Sequence, residues 1–391
     1  MRGKLFLTDA DYKHTLGAIR SLGRKGLEVD AGSSLSPSLG FFSKYINQCF
    51  VYPDPKKCPK EFIDFILKII RTGEYNVIMP IGYAATVTIS KFKKRIEHLV
   101  EVPVTDFERL RVASRKDETI VLAKELGIPV PDSIILRNGD LERAKDLDFP
   151  LVLKGTTESG RVYYASNFKD FVKKFYLLRQ LTSQPLIAQK YIRGDGYGFF
   201  ALFSHGEPRA TFMHKRIREY PITGGPSTVA ESVYEPRLKD YGLRILNALS
   251  WHGVAMVEFR HDVESNNFKL MEINPKFWGS LDLAIASGVD FPYLLYKMAV
   301  NGDVKPSFNY TVGVKFMWPF PDDFKHILAN PYAFTDFITD LTDVSVRKNF
   351  VLRDLKPNIV QLLGIVSLLK HMHREYEEFR YPHIMPRTNV A

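Results

Sequence analysis

Short apolar runs alternate with longer amphipathic stretches through the first part of this chain. Residues 4–8 and 27–31 read as strands, and residues 14–24 between them read as a helix. A helix over 60–71 and a strand over 76–80 continue the order. Strand and helix in alternation predict a small α/β domain with a doubly wound parallel sheet, which we assign to residues 1–112. No Gly-x-Gly-x-x-Gly follows the first strand, so the dinucleotide-binding fingerprint is absent.

The pattern changes after Ser114. A helix over 116–126 ends at Gly127, and Pro129 and Pro131 punctuate the approach to a strand at 133–136. The apolar strand 149–155 delivers Lys154 near its end, and the small polar segment 156–160 follows as a loop. Next come a strand at 186–192, a turn at 193–196, a hairpin of 198–204 with 209–220, a Gly-Pro loop at 223–226 and a helix at 239–250. This mixture predicts an α+β body over 113–303, with a smaller part at 113–186 and a larger one at 187–303. Residues 304–391 form a mixed C-terminal extension with a strand near 313–317 and a helix over 357–379. The apolar run 359–369 in that helix carries Gln361, is too short to span a bilayer and predicts a core-facing helix.

Two stretches carry the most specific chemistry. Val254-Ala255-Met256-Val257-Glu258-Phe259 and Phe268-Lys269-Leu270-Met271-Glu272-Ile273-Asn274-Pro275 both read as strands, with turn-forming residues 262–267 between them. Alternation places Phe268, Leu270, Glu272 and Asn274 on one face. A hairpin symmetric about Ser265 sets Glu258 opposite Glu272, and like charges so placed destabilise a sheet unless something neutralises them. A hard divalent ion held by oxygen ligands would do so. Elsewhere, the strand around residues 210–220 is unusually basic, and alternation puts His214, Arg216 and Arg218 on one face. Such a row suits a triphosphate or a carboxylate, and it also suits a guarded edge strand.

Composition narrows the setting. The 391 residues, 45% hydrophobic and 25% charged, suit a globular protein of two or three domains, and a formal charge of +10 favours anionic partners. The two cysteines, Cys49 and Cys58, lack a second pair or nearby histidine at zinc-site spacing, which reads as reduced thiols in the cytoplasm. Asp9 and Asp11 interrupt any secretory apolar core, and no transmembrane segment is read. No zinc-finger spacing, aromatic RNA-binding motif or dense basic arm supports a nucleic-acid partner.

Together these segments resemble the ATP-grasp superfamily, which includes biotin carboxylase, carbamoyl-phosphate synthetase and D-alanine:D-alanine ligase. The resemblance runs over roughly residues 1–303 and is carried above all by Met271-Glu272-Ile273-Asn274-Pro275-Lys276 preceded by Glu258. It implies a pre-ATP-grasp domain at 1–112 and an ATP-grasp fold of two α+β subdomains at 113–303. It also implies ATP as cofactor, with magnesium, or manganese in its place, on Glu258, Glu272 and Asn274. Lys116 and Lys154 match phosphate-contacting lysines, Gln189, Lys190, Tyr191 and Ile192 the strand beside adenine, and Asp195 an acid that takes the ribose. Two departures stand out: Lys276 replaces the arginine many relatives carry after Asn-Pro, and the loop after Lys154 holds few glycines.

The reading that follows is an ADP-forming ligase that joins a small-molecule carboxylate to an amine through an acyl phosphate. Lys276 with Arg216 or Arg218 would hold the carboxylate, and His214 is the candidate base. A kinase acting on a small-molecule hydroxyl, or a non-catalytic nucleotide sensor, would keep the same ATP site. Residues 304–391 are open to capping the acceptor pocket or to homodimer contacts.

Overall fold

The computed structural model describes residues 3–137, 140–157 and 161–375, with side chains described as far as residue 365. The first sheet contains β1 (Lys4–Leu7), β2 (Glu28–Ser33), β3 (Ile46–Val51) and β4 (Val77–Met79), all parallel, in the order β3-β2-β1-β4. Parallel strands covered by helices on both faces bury nearly every side chain, so Leu5, Phe6 and Leu7 are all buried. The order reverses between β1 and β4. There the carboxylate of Asp9 accepts the Gly82 N–H at 2.7 Å and ties the two loops together.

A second, antiparallel sheet holds β5 (Ser133–Leu136), β6 (Leu151–Gly155), β7 (Val162–Ala165) and β8 (Leu186–Lys190) in the order β5-β8-β6-β7. The helix Phe168–Arg179 covers it with Phe171, Phe175 and Leu178, and the Asn167 side chain caps that helix by accepting the Asp170 N–H at 3.0 Å.

The third sheet has seven strands: β9 (Gly196–Ser204), β10 (Glu207–Glu219), β11 (Ser227–Ser232), β12 (Gly253–Asp262), β13 (Asn267–Asn274), β14 (Lys315–Met317) and β15 (Arg347–Lys348). Their order is β13-β12-β9-β10-β11-β14-β15, so strands from beyond residue 303 extend the edge of the same sheet. Phe200, Leu202, Phe212 and Met256 face the parallel domain and pack with Leu5, Leu7 and Trp278. Phe199, Phe203, Val257 and Phe259 face the other way, against the helix Pro236–Ala248. Each strand alternates between two cores, which explains why the sheet reads as strongly apolar.

Two bulges correct the simple alternation. Glu258 pairs with Glu272 as expected, but Phe259 then pairs with Leu270, leaving Met271 as an extra residue on β13. Phe268 and Leu270 therefore join Phe259 and Ile273 in the core on the far side, and only Glu272 and Asn274 keep the face they were expected to share. On β10, Arg216 pairs with Ala230 while Arg218 pairs with Val229, so Ile217 is the extra residue. Neighbouring residues of β11 point to opposite faces. Arg218 is thus turned away from Arg216, towards the C-terminal layer.

There Arg218 meets Asp323 at 2.8 Å and Asp340 at 2.8 Å, and Asp340 also pairs with Lys315 at 2.5 Å. The C-terminal helix is described over Lys356–Glu375, and the rest of its expected span lies outside the described residues. Over its described side chains the apolar run is only partly core-facing: Asn358, Gln361 and Ile365 are buried, while Ile359, Leu362 and Leu363 are exposed. No described helix is long and apolar enough to cross a membrane.

Candidate functional site

Between the second and third sheets lies a cleft of about 250 Å3. β6 supplies Val152 and Lys154, the start of the helix Lys116–Glu125 supplies Lys116, the end of β8 and the chain beyond it supply Lys190, Tyr191 and Ile192, and β12 with β13 supply Glu258, Arg260, Met271 and Glu272. The bulge is what puts Met271 and Glu272 side by side in this wall. A regular ladder would have sent Met271 into the opposite core.

The two glutamates face each other across β12 and β13, and the structure shows what offsets their repulsion. Arg216 meets Glu258 at 2.7 Å, and Lys116 meets Glu272 at 3.0 Å. Protein cations therefore neutralise a pair that from sequence called for a metal. Asn274 donates to the other Glu272 oxygen at 2.9 Å and is held beside it. Arg260 pairs with Glu219 at 3.2 Å, and Glu219 also lies 3.5 Å from Arg216. Two charge runs therefore border the cleft, Glu272 with Lys116, and Glu258, Arg216, Glu219 and Arg260 in alternation. Two carboxylates and an amide on one face form a hard-oxygen donor set that fits a divalent cation.

Lys154 is buried and has no opposite charge in direct contact among the described residues. Burial and then the nearby Lys116 push its ammonium down to about 8 from the ordinary 10.5, with Glu272 and Glu258 pulling the other way. For Glu272, burial alone would push the carboxyl up; Lys116 and Lys154 outweigh it and hold it well below its usual range. A phosphate group in the cleft would restore the Lys154 charge. We expect phosphate-bearing ligands to bind with proton uptake above pH 8, with affinity falling by up to about tenfold per pH unit there and level below it. Calorimetric titration in buffers of different ionisation enthalpy reads the uptake directly. The unliganded protein has the complementary dependence: the unfolded chain holds this proton to higher pH, so Lys154 makes stability rise from pH 8 towards 10.5.

The other expected site residues are placed as follows. Gln189 is buried and donates to Ser133 at 2.9 Å, away from the cleft. Asp195 pairs with Lys215 at 2.7 Å and is not part of the cleft wall. His214 is sealed beneath Phe200, edge-on at 4.7 Å, and burial followed by Arg216 pushes its imidazole well below the usual range. At 1% exposure it has no path to an incoming amine, which corrects its assignment as base. Arg218 is committed to Asp323 on the far face, which corrects its assignment to the substrate. Lys276 lies just past Asn274 in a small internal crevice with Pro80 and Val104, where the third sheet meets the parallel domain.

Several cleft residues were not expected. Arg260 follows Glu258 by two positions on β12, so alternation could have found it; Met271 depends on a bulge that leaves no compositional mark. Tyr164 on β7 donates to the Thr223 carbonyl at 2.7 Å and latches the second sheet to the loop of the third. Gly224 has φ of +137°, and a Cβ there would crowd the Tyr164 hydroxyl and Arg260. Tyr164→Phe is expected to weaken nucleotide binding by about fivefold, the worth of one such hydrogen bond, with folding unchanged by circular dichroism.

Residues 182–317 match the model of a family described as ATP-grasp in the biosynthetic pathway with Ter operon. Biotin carboxylase from Campylobacter jejuni, in a complex with β-γ-ATP, superposes with a TM-score of 0.66 at 15% identity, over 81% of this chain and 74% of that one. N5-carboxyaminoimidazole synthetase from Staphylococcus aureus, complexed with ADP, gives 0.65 at 14% identity over 86% and 87%. L-amino acid ligase from Bacillus licheniformis gives 0.63 at 16% identity over 78% of each chain. At such identities the likeness speaks for the fold, and it agrees with the family match over the sheet that carries both glutamates. The chain has the ATP-grasp fold, and its residues 182–317 match an ATP-grasp family.

Proposed function

We propose that the protein is an ATP-dependent ligase that joins a carboxylate to an amine and releases ADP and phosphate. The observation that carries this reading is the convergence of Glu258, Glu272 and Asn274 with Lys116 and Lys154 in one cleft between two sheets. Tyr191, Ile192, Val152 and Met271 offer the apolar surfaces that a purine needs, and the lysines stand where its phosphates would lie. Glu258, Glu272 and Asn274 would hold magnesium, which when bound neutralises the β- and γ-phosphate oxygens. Lys116 would then exchange Glu272 for a phosphate oxygen. Arg216 stays fixed by Glu258 and by the Gly225 carbonyl at 3.0 Å, and keeps its charge at the cleft floor.

In the first step a carboxylate oxygen of the substrate attacks the γ-phosphorus, the bond to the β-phosphate oxygen breaks and ADP leaves. The product is an acyl phosphate. In the second step the amine nitrogen attacks the acyl carbon, the carbon–oxygen bond to phosphate breaks and the amine gives up a proton. Arg216 and Lys276 are the groups proposed to steady the carboxylate and the oxyanion that develops on it. Lys154 contributes position and charge. Of the loop 156–160 that follows Lys154, residues 158–160 lie outside the described residues.

Neighbours that are ligases or carboxylases support this reading at the level of fold. The test is to incubate the protein with ATP, magnesium, hydroxylamine and a panel of carboxylates. Hydroxamate and ADP are the expected products; AMP with pyrophosphate would contradict the scheme.

A further inference from the structure

The C-terminal helix is mounted with its polar side inward. Arg20 binds Asp354 at 2.8 Å, the Asn349 carbonyl at 3.0 Å and the Asn358 side chain at 3.1 Å, and Asn358 donates to Gln361 at 3.1 Å. All of these groups are buried. Rotating the helix to bury its leucines would take Asn358 away from Arg20 and the Asn349 carbonyl and break up the buried Asn358 and Gln361 contacts, leaving polar groups unpaired in the interior, which folded proteins avoid. The outward face is therefore fixed by the fold.

That face is apolar. Leu352 is 85% exposed, Ile359 51% and Leu363 63%, and Leu355 and Leu362 are exposed beside them. Positions 355, 359 and 363 follow one another at helical spacing, so the side chains form one stripe. Three exposed cations stand at the N-terminal end of this stripe: Arg24 and Arg353 beside Leu352, and Lys356 on the helix itself. None of them pairs with a carboxylate among the described residues. Arg24 and Arg353 also line, with Phe350 and Leu352, an open groove at the head of the helix. Between residues 350 and 365 the only acid is Asp354, and it is buried against Arg20.

We propose that this stripe and its cations dock the protein on an anionic phospholipid surface, with the leucines among the acyl chains and Arg24 and Arg353 on headgroup phosphates. An apolar face bordered by unpaired lysine and arginine is the pattern of helices that lie in a membrane interface. A second copy of this chain suits the face less well. A two-fold contact would double the positive charge around the stripe, with no exposed acid on residues 350–365 to offset it. The proposal is independent of the ligase reading, because the face lies outside the cleft.

The test is flotation of the full-length protein with vesicles of phosphatidylcholine alone and of phosphatidylcholine mixed with phosphatidylglycerol. Binding is expected only to the mixed vesicles and should fall with added salt. Ile359→Glu with Leu363→Glu should abolish it, and Arg24→Glu with Arg353→Glu should weaken it by at least about tenfold. Circular dichroism and thermal unfolding without vesicles should be the same in all variants, which reports that they fold. Failure to float with either vesicle, or equal binding to both, would overturn the proposal. So would a dimer in analytical ultracentrifugation that Ile359→Glu dissolves, since the face would then belong to a second copy.

Discussion

Glu272→Gln is expected to remove ATP turnover, by a thousandfold or about 4 kcal/mol in the barrier, while the protein remains folded. The change keeps the shape of the side chain and its contact with Asn274 but removes the charge that holds Lys116 at 3.0 Å. It also takes one of two carboxylates from the proposed magnesium set. Glu258→Gln should be similarly inactive, with an added cost, because Arg216 is buried and would lose its partner at 2.7 Å. The two variants therefore separate by thermal unfolding: near the parent for Glu272→Gln, clearly lower for Glu258→Gln. Measurable turnover in Glu272→Gln would remove this residue from the reaction.

The largest effect on stability is expected far from the cleft, at Asp323. Its carboxylate is fully buried, receives Arg218 twice and also accepts the Thr228 hydroxyl at 2.5 Å. Asp323→Ala should cost about 3–5 kcal/mol, the usual consequence of leaving one member of a buried ion pair behind. The double change Arg218→Met with Asp323→Leu should recover most of that loss, because well-packed apolar groups replace buried charges with little penalty. Denaturant unfolding of the three proteins decides it. Equal loss in the single and double variants would mean that packing around β11, and not the stranded arginine, sets the cost.

These expectations show what the sequence could and could not reveal. The pairing of Glu258 with Glu272 was legible because turn-forming residues around Ser265 fix the hairpin, and a fixed turn fixes the register. Lys154 was legible as the lone cation ending an apolar strand. The parallel sheet followed from strand and helix alternation, although β3 and the helix Tyr83–Lys91 were not recognised: β3 carries Asn47, Gln48 and Cys49 among its few apolar residues and lies at the sheet edge. The bulges at Ile217 and Met271 were invisible, since one extra residue alters no local preference yet reverses every side chain beyond it. That is why Arg218 was placed with Arg216, and Phe268 and Leu270 with Glu272. His214 looked reactive as a histidine beside cations, but Phe200, in the core shared with the parallel domain, covers it. The C-terminal helix misled in the opposite sense. Its leucines promised burial, whereas the buried charge of Arg20 claimed its polar side.

One cleft, where Glu258, Glu272 and Asn274 meet Lys116 and Lys154, would receive the metal-bound nucleotide. Calorimetric titration of the wild-type protein with a non-hydrolysable ATP analogue, with and without magnesium, tests this most directly. Saturable binding at one site that requires magnesium and is lost in Glu272→Gln is the predicted result. No binding under either condition, or equal binding in the presence and absence of the metal, would contradict it.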